Sequence, residues 1–422
     1  MPKRSKHFLL LSLLLALMAC SKDDSSHDQP TIPSRRTVVI YMSGENNLSP
    51  YLTDDLYELM AGRQLVGKDE SLVVYVDRLS TTEKPFLALV TTDNRLDTLY
   101  HYEEGYSSDP VRMADVLNRA IELCPATEDY GLVFWGHANS WIIEKDSIAV
   151  STNRAYGVDT GYDPTMQPHP KYMNVPTMRE VLTSLPVKWK YIFFDCCNMI
   201  SAELAYELRK QADYIIGSPA EMPGRGAPYS IVVKDLFNHD DVTMYTDLCD
   251  HYHAQAGDYI GQRTPMAVVK TDAIVPLAEA TRQILPQVDT YLKSTSTATE
   301  GAIYYYAANP SAEKEKTLYD IQDIIQAALK DDPSSYQTWH NAFQKAVVYS
   351  IPSTYWQANY VRFSDFTEMR DGVQVFKHGD NCCGVMSMFF PMAKYSSASH
   401  DYNENIKQFG WYYAVGWSRF AW

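Results

Sequence analysis

Residues 191–199 read Tyr191-Ile192-Phe193-Phe194-Asp195-Cys196-Cys197-Asn198-Met199. A short run that is apolar on both faces is the pattern of a strand buried inside a parallel sheet. Helical spacing follows, and a helix is predicted from Met199 to Lys210. Side chains alternate along a strand, so Asp195 and Cys197 share one face and Cys196 points to the other. A thiol just before a helix N-terminus feels the positive end of the dipole, which favours thiolate and makes Cys197 a candidate nucleophile. Cys196 reads as a small buried hydrophobe.

Working outward, Tyr130-Gly131-Leu132-Val133-Phe134-Trp135-Gly136-His137-Ala138-Asn139-Ser140-Trp141 repeats the design: an apolar strand runs directly into a His flanked by small residues. Further strands are predicted at Thr37 to Met42, Leu72 to Asp77, Phe86 to Thr91 and Tyr214 to Gly217. Helical patterns lie between them at Tyr51 to Met60 and Val111 to Leu123. The alternation predicts a doubly wound, mostly parallel α/β sheet flanked by helices. In such a sheet the carboxyl ends of the strands border the ligand crevice, so His137 stands where a base is useful. The expected sheet domain spans 37–240. Residues 241–422 are expected to form a largely helical C-terminal extension packed on it, with helices near 241–256, 273–293, 317–330 and 336–348 and one more strand from Gly384 to Phe390.

The first 19 residues carry Lys3, Arg4 and Lys6, no acidic residue, and a Leu- and Ala-rich run, the pattern of a secretory signal. Leu17-Met18-Ala19-Cys20 reads as a lipobox, so Cys20 is the expected lipidation site. Residues 20–36 form the expected flexible tether. Lys22-Asp23-Asp24 resembles the acidic export signals of surface-displayed lipoproteins, and the expected location is the outer membrane, facing outward. Removing residues 1–19 leaves 34 basic against 52 acidic side chains, a net charge of −18. That excess makes nucleic acid an unfavourable partner, because like charge repels. A content of 45% hydrophobic residues excludes global disorder.

The sequence holds no HExxH, Walker loop, GxSxG, GxGxxG after a strand or CxxC pair, which removes zincin, P-loop, hydrolase-elbow, dinucleotide and zinc-ribbon readings. The blocks LVFWGHANSW and YIFFDCCNMISAELAYEL, followed by ADYIIGSPAEMPGRGAPY, resemble the clostripain family of cysteine peptidases, relatives of gingipain, legumain and the caspases. The family pattern is Asp-Ala-Cys, then Leu-Met, then a Glu-x-Ala-Tyr-Glu-Leu helix. Here Glu203, Ala205, Tyr206, Glu207 and Leu208 take the matching places, in a resemblance that covers at least residues 37–230. It implies a caspase-like fold with Cys197 as nucleophile, His137 as its partner, and Asp195 receiving a basic P1 side chain of a protein or peptide substrate. Backbone N–H groups of Cys197 and Ala138 are the candidate oxyanion donors. Two positions depart from the family: Ala138 replaces a Gly, which raises the question of a positive φ, and Asn198 replaces an apolar residue.

Several relatives mature by self-cleavage between the His and the Cys. The loop-like stretch Glu144 to Pro164 offers Arg154-Ala155 as the candidate activation cut. The chemistry itself needs no cofactor. Calcium serves some relatives, and Asp146, Asp159 and Asp163 are candidate oxygen ligands, although no EF-hand spacing exists. His251 and His253 suggest metal only weakly. Cys124, Cys249, Cys382 and Cys383 fix no disulfide pairing. The rival reading is a peptidase-like lipoprotein with little activity that serves as a protein- or glycan-binding module, suggested by 31 Tyr and 8 Trp. It leaves the two strand-end residues unexplained.

Overall fold

The structure is a computed structural model that describes residues 31–80, 82–143, 156–159, 171–255, 263–294, 297–309, 311–356, 364, 366–377, 379, 383–398 and 401–422. The signal, Cys20, Asp146, Arg154, Ala155, Asp163 and Cys382 lie outside the described residues.

The β-branched and aromatic runs form strands β1 (Ser34–Gly44), β2 (Ser71–Arg78), β3 (Phe86–Val90), β4 (Leu96–His101) and β5 (Ala126–Gly136). They continue as β6 (Tyr156–Asp159), β7 (Lys171–Met173), β8 (Trp189–Asp195), β9 (Ala212–Gly217) and β10 (Met266–Lys270). Beyond these come β11 (Tyr319–Asp320), β12 (Val347–Ile351), β13 (Thr367–Arg370), β14 (Val373–Phe376) and β15 (Ser387–Met388). Nine of them make one sheet in the order β12-β10-β9-β8-β5-β1-β2-β3-β4. The four central pairings are parallel. The four outer ones are antiparallel. The chain runs from β1 to β2 on one side and later returns to place β5 on the other. The topological switch therefore falls between β1 and β5.

Alternating side chains feed two cores. Val38, Ile40, Val133, Trp135 and Phe193 meet α1 (Ser49–Arg63), and on the opposite face Val39, Tyr41, Leu132, Phe134 and Phe194 meet α2 (Pro110–Leu123) and α3 (Val175–Ser184). Helices α4 (Ala202–Glu207), α5 (Tyr229–Leu236), α6 (Asp241–Ala254) and α7 (Ile274–Ser294) complete the two layers, α5 and α6 beside α1, α4 and α7 on the other face. Each large side chain so buried contributes about 1.5–3 kcal/mol. The remaining helices, α8 (Ile321–Ala328), α9 (Pro333–Ala346), α10 (Tyr402–Asn405) and α11 (Gly410–Val415), belong to the C-terminal part.

Several expectations need correction. The tether does not reach residue 36. Strand β1 starts at Ser34, and Arg36 is buried, with Nη1 donating to the carbonyls of Leu236 and Asn238 and Nε paired with Asp129. The sheet does not end at residue 240, because β10 and β12 add to its β9 edge. The helix expected over 199–210 is shortened to Ala202–Glu207, capped by Ser201 Oγ, which accepts from Leu204 N at 3.3 Å. The loop-like stretch 144–164 contains β6, paired with β7. Of the strand expected over 384–390, only Ser387 and Met388 pair, with β11.

The C-terminal part is latched to α4. Ser387 N donates to Ile200 O at 3.0 Å, Phe389 N to Glu203 Oε1 at 2.8 Å, and Gly410 N to Glu207 Oε1. Arg179 Nη1 holds the other oxygen of Glu207 at 2.7 Å. Glu203 is fully buried, and burial pushes its carboxyl up to about 8. The folded chain therefore retains a proton that the unfolded chain releases, and stability falls as pH rises from about 5 to 8. Glu203→Gln removes this contribution. In urea titrations the variant should gain about 1–3 kcal/mol on wild type between pH 5 and pH 8. Parallel pH profiles would show that Glu203 binds no proton on folding.

Candidate active site

Strands β5 and β8 pair in parallel with Trp135 opposite Asp195. His137 and Cys197 each lie two residues beyond that pair, so both leave adjacent strands at the same edge of the sheet. Strand β1 pairs Ser43 with Gly136, which brings Glu45, Asn46 and Asn47 to this edge as well. His137 Nε2 meets Asn47 Oδ1 at 2.6 Å, and its carbonyl accepts from Gly157 N at 2.8 Å. Farther along the same loop, Ser140 Oγ donates to Ser201 Oγ at 2.7 Å, tying the His loop to the cap of α4.

Cys197 is half-buried, with Met222 N donating to its Sγ at 3.3 Å. Burial, with the charges of Glu221 and Asp195 nearby, pushes the thiol up to about 12. This overturns the expectation of a dipole-stabilised thiolate. The helix begins at Ala202, beyond a turn, so its N-terminus does not reach the sulfur, and the fold encloses the thiol instead. Cys196 is buried in the opposite core beside Phe194, its thiol donating to Phe134 O at 2.9 Å, in keeping with the alternation of faces.

Both departures from the family pattern have local explanations. Ala138 has no positive φ; the left-handed positions are Gly136 (φ 146°) and Ser140 (φ 53°), and the Ala138 methyl packs into the core. Asn198 takes φ 64°, a conformation Asn tolerates better than other side chains. Its N–H donates to Ala220 O at 2.9 Å and its Nδ2 to Pro219 O at 2.8 Å. The turn after the nucleophile candidate is thereby stitched to the chain that follows β9.

Asp195 is 5% exposed. Its Oδ2 accepts from Ala227 N and Tyr229 Oη, both at 2.8 Å, and its Oδ1 accepts from Tyr252 Oη at 3.0 Å. Burial raises its carboxyl to about 6 against these bonds. Sequence reasoning missed Asp55 on α1. That carboxyl is 3% exposed, its Oδ2 has no hydrogen-bond partner, and burial with the charge of Asp195 raises it to about 9. A Cβ built on Gly226 (φ 65°) would lie 2.8 Å from Asp195 Oδ2, 3.0 Å from Trp135 Nε1 and 3.3 Å from Asp55 Oδ2, so three polar atoms converge on one point. A signal existed in the sequence: Asp55 falls with Leu52, Leu56 and Leu59 on the apolar stripe of its helix, where a carboxylate has no packing reason to be.

Among the described residues, His251 and His253 join no group of metal-ligating side chains. Their Nδ1 atoms meet Asp235 Oδ2 at 2.7 Å and Thr264 O at 2.8 Å, on either side of Tyr252. Cys124, Cys196, Cys197 and Cys249 are free thiols. No described helix is long and apolar enough to cross a membrane.

The profile of the clostripain family matches residues 40–422. Among solved structures, the chain is similar to a secreted C11 cysteine protease from Bacteroides thetaiotaomicron in complex with an irreversible peptide inhibitor. The two are 26% identical over 92% of this chain and 100% of that one, with a TM-score of 0.71. It is also similar in fold to an inactive zymogen C11 protease from Parabacteroides distasonis, at 24% identity over 92% and 99% of the two chains and a TM-score of 0.68. No curated protein matches the sequence.

The account of Asn198 makes a stability prediction. Asn198→Ala should cost about 1–2 kcal/mol in denaturant titrations, the penalty of an ordinary L-residue in the left-handed region. Asn198→Gly should recover most of it. Equal losses in the two variants would assign the effect to the Pro219 hydrogen bond instead.

Proposed function

The chain belongs to the clostripain family and is a cysteine peptidase, and from that premise we propose that it cleaves peptide bonds after Arg or Lys with Cys197 and His137 as its dyad. The observation that carries the dyad is the parallel pairing of β5 with β8, which sets the two residues at one sheet edge. With the resting thiol raised to about 12, Cys197 attacks only as its proton passes to the His137 imidazole. Asn47 Oδ1 holds Nε2 of that ring and sets its orientation. Sγ bonds to the scissile carbonyl carbon, and the oxyanion takes hydrogen bonds from the N–H groups of Cys197 and Ala138. His137 then protonates the leaving amine and afterwards activates the water that releases the acyl group.

The preference for a basic P1 residue rests on Asp195 together with Asp55. Two buried carboxyls whose oxygens converge beneath Gly226 repel each other when ionised, and a guanidinium or ammonium head relieves that repulsion. In the free enzyme protonation competes with the cation, so affinity for a basic side chain falls as pH drops below about 6. A Lys- or Arg-based acyloxymethyl ketone should label the enzyme, and Cys197→Ala should abolish the label. Asp195→Asn should lower kcat/KM for basic P1 peptides by about 10–100-fold, and Asp55→Asn should weaken the same preference. A P1-diversified library cleaved equally well after neutral residues would sink the carboxylate assignment. Absence of labelling under reducing conditions, with and without calcium, would favour the rival reading of a binding module.

We also infer export with a lipid on Cys20, and activation by a cut between Arg154 and Ala155, immediately before β6. Intact-mass analysis of active enzyme reads both. The expected species are an acylated chain beginning at Cys20 and a break after Arg154. A fully active, uncut chain ends the activation idea, and a mature chain without acyl mass ends the anchor.

A further inference from the structure

A cleft of about 300 Å³ opens where α3, the end of α4 and the start of α11 meet, lined by Arg179, Thr183, Glu207, Arg209, Lys210 and Gly410. Arg179 and Thr183 lie four residues apart on α3 and share one face of it. Arg209 and Lys210 follow α4, whose last residue is Glu207, and Gly410 opens α11. Three cations therefore meet one carboxylate, in a chain whose sequence carries a net charge of −15. That carboxylate is already engaged: one oxygen of Glu207 takes Arg179 Nη1 at 2.7 Å, the other takes Gly410 N, and the side chain is 2% exposed.

Two of the cations are held in place before any ligand arrives. Glu207 fixes Arg179, and the Arg209 guanidinium lies 3.8 Å from the centre of the Tyr206 ring with Nη1 donating to Tyr206 O. Arg209 and Lys210 form no ion pair among the described residues. Carbonyls at the end of α4 would repel an anion, but those of Leu204, Tyr206 and Leu208 are taken by Leu208 N, Arg209 Nη1 and Gln211 N. What the cleft offers is thus uncompensated positive charge on pre-positioned N–H donors.

We propose that this cleft binds a phosphate or sulfate group, carried on a soluble ester or on a lipid headgroup. Guanidinium forks match the paired oxygens of such a group, and Lys210 adds a point charge. A volume of about 300 Å³ stands at the lower end for small-molecule sites and exceeds what a bare oxyanion fills, which leaves room for the group that carries it. Trp189 N donates to Gln211 O at 2.8 Å, so the cleft adjoins the starts of β8 and β9. Cys197 lies beyond the other end of β8, roughly 25 Å along the strand, and oxyanion binding does not rest on the dyad reading. Strand β1 begins at the same edge as the cleft, three strands over and about 15 Å across the sheet. The lipid proposed on Cys20 would join the sheet at that edge, which makes a phosphorylated headgroup one source of the oxyanion beside a soluble ester.

The test reads binding without catalysis. In about 50 mM phosphate or sulfate, against sodium chloride of equal ionic strength, the full chain should melt about 2–4 °C higher. Excluded anions stabilise any protein to some degree, so the double variant Arg209→Gln, Lys210→Gln sets the baseline and should lose most of the rise. Lys210→Glu alters one exposed side chain; it should keep the wild-type melt in chloride and weaken phosphate binding at least about tenfold by calorimetry. Lys188→Gln, at the same edge but paired with Asp213 at 2.5 Å, should keep the full rise. No rise in wild type, the same rise in the double variant, or an equal rise in acetate overturns the proposal. Sedimentation with phosphatidylcholine vesicles, with and without about 30% phosphatidic acid, separates the two sources. Any acyl anchor contributes equally to wild type and to the double variant, so a preference for phosphatidic acid that only wild type shows assigns the cleft to headgroups. A phosphate-dependent rise without that preference assigns it to a soluble ester.

Discussion

Parallel pairing of β5 with both β1 and β8 is the constraint on which the rest of the molecule depends. It aligns Ser43 with Gly136 and Trp135 with Asp195, so three successive strands end at one level and release their next residues into one crevice. The proposed dyad and its immediate partners lie within a few residues of those ends: Asn47 after β1, His137 after β5, and Asp195 and Cys197 at the end of β8. A one-residue slip would exchange the faces of the strand and send Cys197 to the side now taken by Cys196. The two-sided core fixes that register, because Phe194 and Phe193 fill different layers.

The C-terminal residues act on this edge from behind. Glu203 and Glu207, which belong to the helix after the nucleophile candidate, are fastened by backbone N–H groups from Phe389 and Gly410. The short α4 would be marginal alone, since a helix of two turns barely recovers the cost of nucleation. Its position is therefore a tertiary property, and the turn from Cys197 to Ser201 inherits it.

Burial governs the electrostatics of the whole region. Cys197, Asp195, Asp55 and Glu203 all sit above their ordinary pKa values, with desolvation the largest cause in each. A crevice that collects carboxyls in a low dielectric favours positive charge.

Much of this was legible in the sequence. The continuous apolar runs at 37–42, 72–77, 132–135, 191–195 and 214–217 identify the five central strands, because a strand buried on both faces leaves a local signature. Alternation separates Cys197 from Cys196, and strand-end position singles out His137 and Asp195. The outer strands β4, β10 and β12 were missed; β4 and β12 are half-exposed edges with weak patterns, and the apolar run of β10 is brief. The fate of the Cys197 thiol was misread because a dipole argument uses only neighbours in sequence, while its proton affinity is set by Met222, Glu221 and the surrounding core. Asp55 and Asp195 could be joined only by folding. Periodicity is a property of adjacent residues and survives in the sequence, whereas the convergence of distant carboxylates depends on how strands and helices pack.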